Sequence, residues 1–94
     1  MPRLFRFYGY LVYFWTHEGK PTEPIHIHIS EGVQSEHADK FWLTKDGRFI
    51  ADKNNKFIPY RKVKHVLEEL TMTERIEFIK NEWLKAFNEI TYKE

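Results

Sequence analysis

Ninety-four residues, 41% hydrophobic and 17% aromatic, suit one domain with its own core and exclude a disordered chain. Cysteine is absent, which excludes disulfides and thiolate metal sites. Fifteen Lys and Arg against 14 Asp and Glu exclude a basic coat over the whole protein.

Residues 3 to 15 carry Phe5, Phe7, Tyr8, Tyr10, Tyr13, Phe14 and Trp15, a composition that favours a half-buried sheet. Gly9 interrupts the run and predicts a turn or bulge between two strands. Both faces of residues 10 to 15 are apolar, so this strand is expected to be central or covered. Gly19, Pro21 and Pro24 make residues 17 to 24 a loop. Ile25-His26-Ile27-His28-Ile29 then alternates strictly, which puts three isoleucines on one strand face and two histidines on the other.

After a loop beginning at Gly32, residues 38 to 44 read as a strand. Lys45-Asp46-Gly47-Arg48 is its turn, and residues 48 to 51 return. From Tyr60 the period becomes helical, with Tyr60, Val63, Leu67 and Leu70 on one stripe after Pro59. Thr71-Met72-Thr73-Glu74 fits a capping box for a second helix. Its stripe is Ile76, Ile79, Trp83, Phe87 and Ile90. The expected architecture is a single α+β domain over residues 1–94. A small antiparallel sheet of about five strands occupies 1–52, packed by two helices within 59–92.

His26 and His28 are the sharpest chemical feature. Two apart on a strand, their rings project from one side with Cα atoms about 7 Å apart. Such a pair converges on one divalent metal, zinc or nickel, if His17, Glu18, Glu23 or His37 completes the set. It also makes a base and acid couple, in either order, able to cleave RNA through its 2′-hydroxyl without a metal. Equally, the spacing arises on any alternating strand whose polar face is half exposed.

Charge is uneven. Residues 53 to 65 hold Lys53, Lys56, Arg61, Lys62, Lys64 and His65 with no acid, while residues 66 to 94 hold seven Glu against one Arg and three Lys. With Phe57 and Tyr60 among the cations, this basic elbow suits phosphates held by Arg61, Lys62 and Lys64 and a base stacked on Tyr60. The seven aromatics before residue 16 are expected to be mostly core, with any excess left as a homodimer or partner surface. No phosphate loop, dinucleotide fingerprint or nucleophile motif is present.

The start Met1-Pro2 with Arg6-Phe7 and Gly9-Tyr10, the aromatic strand, and Pro24-Ile25-His26-Ile27-His28-Ile29 resemble a group of small bacterial and archaeal proteins known as domain of unknown function family 4160. That family carries Pro-Pro-His-Val-His-Val at the corresponding place. Here Ile25 replaces its second proline. Phe41-Trp42-Leu43 resembles its next apolar strand, and Trp83-Leu84 its helix Trp region. The resemblance implies a two-gene cassette akin to toxin–antitoxin modules, in which a small toxin commonly cuts RNA and its partner blocks it.

These readings set the expectations. The leading one is a toxin–antitoxin-like component with His26 and His28 as its functional face, RNA as ligand or substrate, a small partner protein, and no resident cofactor. The alternatives are a metal-binding module using His26, His28 and His17, and a non-enzymatic interaction module using the aromatic strand or the acidic helix. No apolar run reaches the roughly 18 residues that cross a bilayer, and no signal peptide is recognised. With cysteine absent, a cytoplasmic location is expected.

Overall fold

The computed structural model describes residues 3–16, 23–35, 38–56 and 58–93. Five strands come first: β1 (Arg3–Phe7), β2 (Tyr10–Tyr13), β3 (His26–Glu31), β4 (Asp39–Leu43) and β5 (Phe49–Ala51). Two helices follow, α1 (Tyr60–Leu70) and α2 (Thr73–Phe87). The strands form one antiparallel sheet in sequence order. Each hairpin therefore pairs with its immediate neighbour, the cheapest topology in loop entropy.

Tyr8 and Gly9 form the two-residue turn between β1 and β2, with φ of 52° and 83°. Both residues lie in the left-handed region, the geometry that matches the twist of a hairpin. A register shift between Arg3 and Phe5 bulges β1, so Leu4 joins the core while Phe5 and Phe7 also pack against it. Both helices cover one face of the sheet. There Ile25, Ile27 and Ile29 meet Val12, Phe14, Val63, Val66, Leu70, Ile79 and Trp83, all buried. Burial of this kind is worth roughly 1.5–3 kcal/mol per large apolar side chain.

The helices differ from the expected stripes in three places. In α1 the buried residues are Val63, Val66 and Leu70, while Tyr60, in the first turn, stands 67% exposed. The expected capping box does not form: Met72 is the N-cap of α2 and makes no side-chain cap bond, and Thr71 Oγ1 instead donates to the Glu68 carbonyl, closing α1. Finally, α2 stops at Phe87 rather than running toward residue 92. Asn88 adopts φ 64° and its N–H donates to the Leu84 carbonyl, a left-handed cap that Asn accepts readily.

Candidate functional site

Alternation along β3 turns His26, His28 and Ser30 to the face opposite the isoleucines. The rings of His26 and His28 lie on one side, with centroids 5.1 Å apart and planes nearly perpendicular. Their accessibility differs. His26 is fully buried, whereas His28 is half-buried.

The cause lies in the strand ladders. β2 pairs with β3 only as far as Tyr13 opposite His28, so His26 has a strand beside it only on the β4 side, where it faces Trp42. Trp83 of α2, packed on Phe14 at 4.9 Å, brings its ring to 5.2 Å from His26 on that unpaired flank. The chain after α2 completes the edge. The Ile25 N–H donates to the Thr91 carbonyl at 2.8 Å, and Lys93 Nζ sits 4.3 Å over the Trp42 ring.

Around His28 the surface is aromatic and charged. Tyr13 stacks on it at 5.6 Å, and Tyr13 in turn meets Trp15 edge-on at 5.5 Å. The Tyr13 hydroxyl donates to the Ser35 carbonyl at 2.9 Å, which draws the segment after β3 over this face and buries Tyr13. Lys40 lies directly across from His28 in the ladder. Its ammonium donates to Glu23 at 2.5 Å and stands 4.1 Å over Trp42. Trp42 Nε1 donates to Asp52 at 3.2 Å.

Burial sets the protonation. Loss of water pushes the His26 imidazole below its ordinary value, and it does the same to His28, which falls to about 4 with help from His26 and Lys40. Burial works to raise Glu23, but the Lys40 hydrogen bond and charge outweigh it and hold the carboxyl below its ordinary value. At neutral pH both imidazoles are thus neutral beside the Glu23 carboxylate and its Lys40 partner. His26 Nδ1 contacts the Pro24 carbonyl at 2.9 Å. A carbonyl only accepts, so the neutral ring carries its proton on Nδ1 and its lone pair on Nε2.

The other sequence candidates lie elsewhere. Tyr60, Arg61, Lys62 and Lys64 are exposed on α1, which packs on the isoleucine face, so these four and His28 occupy opposite sides of the sheet, while Lys53 lines a cleft with Trp42 and Lys93. Lys64 and Tyr60 line a cleft of about 310 Å³ with Arg48 and Phe49. His17, Glu18, His37 and Phe57 lie outside the described residues. Among the described residues, no group of three His, Asp or Glu side chains is placed to hold a metal ion. The aromatic block is largely interior, as Tyr10, Tyr13 and Phe14 are buried. Tyr8 and Trp15 remain at the surface.

Sequence reading missed Lys40 and Trp42 as neighbours of the histidines, and Lys93 as a neighbour of Trp42. Alternation already placed Lys40 and Trp42 on one strand face, but their pairing with His28 and His26 depends on a register set across a long loop.

The family model described as "Domain of unknown function (DUF4160)" matches residues 9–83, which include the histidine pair, Lys40, Trp42 and Trp83. No curated protein and no solved structure matches the chain.

Proposed function

The chain belongs to this family of unknown function; from the resemblance to that group we propose that it is one component of a toxin–antitoxin-like pair, and from the site's geometry that it engages RNA through the sheet face around His28. One observation carries the reading: a half-open imidazole shares its strand face with the Lys40 ammonium and with a Trp42 ring flanked by Lys40 and Lys93. Cations on this face suit phosphates, and because Trp42 is itself buried the ring open to an unpaired base is Trp15, 38% exposed beside Tyr13. A phosphate takes the place of Glu23 on Lys40 through the same kind of charge-assisted bond. The partner protein, expected from the family resemblance, covers this face in the resting pair.

The reading is one of binding. Cleavage by an imidazole couple needs one imidazolium at working pH, and burial drives both rings toward the neutral form. His28 is left as a base and hydrogen-bonding group.

The test is expression in growing cells, with and without the neighbouring gene's product, followed by recovery of bound RNA. Wild type slows growth and retains RNA, the neighbouring product relieves both effects, and His28→Ala loses both. A wild type that neither slows growth nor retains RNA overturns the reading.

A second reading is favoured by the Pro24 contact. A backbone carbonyl that fixes the His26 tautomer with its lone pair on Nε2 is the support commonly seen behind a metal-bound histidine. Neutral rings also bind metal without first losing a proton. His26 and His28 supply two ligands; His17, the third ligand expected from the sequence, lies outside the described residues. Stoichiometric zinc or nickel in tag-free protein, lost in the double alanine variant, supports this reading. Metal-free protein whose melting ignores a chelator removes it.

A further inference from the structure

We propose that the cleft between the β1–β2 turn and α1 is a second nucleotide site, which takes one base of a single-stranded RNA on Tyr8 and its phosphate on Lys62 and His65. The proposal takes the identity of its macromolecule from the RNA reading above, but the site is separate from the histidine face.

The cleft measures about 580 Å³ and is lined by Tyr8, Tyr10, Lys62 and His65, within the range of small-ligand sites. Tyr8 is its unusual member. It occupies the first position of a two-residue turn at φ 52°, where Asn, Asp or Gly is the ordinary choice. A tyrosine there is strained, and its ring, 67% exposed, gains little burial in return. The ring meets His65 edge-on at 6.2 Å, which leaves a broad aromatic face at the lip of the cleft.

The cations come from α1, whose first turn holds no acid. Lys62 is flanked in sequence by Arg61 and Lys64. Two carboxylates adjoin the cleft: Glu68 lies 3.4 Å from His65 Nδ1, and Glu31 stands opposite Tyr10 in the β2–β3 ladder. A stacking ring beside cations fits a base with its phosphate. An acidic peptide would use the cations and leave Tyr8 without a role.

The experiment titrates the whole chain with AMP, followed by NMR at His65, and with a labelled six-nucleotide single-stranded RNA, followed by anisotropy. Tyr8→Asn preserves the turn and removes the ring. It is expected to raise the melting temperature, to abolish the AMP response at His65, and to weaken RNA binding about tenfold, as loss of one stacked base does. Lys62→Gln is expected to weaken both and to lower the salt dependence of RNA binding by about one phosphate.

His28→Ala leaves the AMP response intact. If the His28 growth and RNA-retention experiments fail while AMP still moves His65, only the sheet-face reading falls. A Tyr8→Asn variant that binds AMP and RNA like wild type overturns the proposal. So does a cleft that binds a poly-glutamate peptide, unaffected by Tyr8→Asn, and ignores AMP and RNA.

Discussion

His26 gives its Nδ1 proton to the carbonyl of Pro24 at 2.9 Å, two residues back along the same chain. The bond pins the ring at the entry to β3, between Trp42 and Trp83, with no solvent access. His26 therefore holds the site together, and His28 presents it.

That division sets the first prediction. His26→Ala removes a fully buried ring and leaves a cavity, with an expected loss of about 2–4 kcal/mol in urea unfolding. His28→Ala, at a half-open position, costs less than half as much. Equal losses at the two positions contradict the assignment.

Stability depends on pH through the same rings. Both imidazoles have folded values below the ordinary 6.5, so the unfolded chain binds protons that the folded chain refuses. Stability is full above about pH 6.5 and falls as pH drops toward 4. For His28 alone, a fall from 6.5 to about 4 corresponds to at most about 3 kcal/mol. Unfolding measured at pH 7 and pH 5 is expected to show about half of this loss, and His28→Gln to reduce it. A flat profile contradicts the burial argument.

Asp39 is buried at the start of β4, and its carboxylate accepts the backbone N–H groups of Lys56 at 3.2 Å and Ile58 at 2.9 Å. Beside it, the Asn55 side chain accepts from the Lys40 N–H and donates to the Lys40 carbonyl, both at 2.8 Å, and so acts as one more rung of the ladder. Asp39→Ala leaves those N–H groups without their acceptor and is expected to cost about 1–3 kcal/mol. Hydrogen exchange at Lys56 and Ile58 locates the damage. Unchanged protection at both amides contradicts the account.

The segment after α2 completes the β3 edge through Ile25 and Thr91 and covers Trp42 with Lys93. Deleting residues 89 to 94 is expected to release the Ile25 amide to exchange and to make His26 reactive toward diethylpyrocarbonate. If His26 is as inert as in the full chain, the segment plays no part in sealing it.

Much of the fold was legible because its signals are local. Strict alternation at 25–29, Asp46-Gly47 between two short strands, and the switch to helical period after Pro59 each name their element. The end of α2 was misread because Ile90 extends the stripe past Asn88. The apolar period continues, but Ile90 packs on the core from irregular chain. The common side of His26 and His28 was also legible. The sealing of His26 was not, since it depends on where β2 ends and on Trp83 and Thr91, residues about 60 positions away in sequence. The separation of Tyr60, Arg61, Lys62 and Lys64 from the histidines follows from which sheet face α1 covers, a tertiary choice that charge pattern does not encode.

The most direct test measures the affinity of purified full-length protein for a short single-stranded RNA, comparing wild type with His28→Ala and Lys40→Gln. The account predicts at least about tenfold weaker binding in each variant, with melting little changed. Wild-type affinity in both variants would contradict the claim that this sheet face is the working surface.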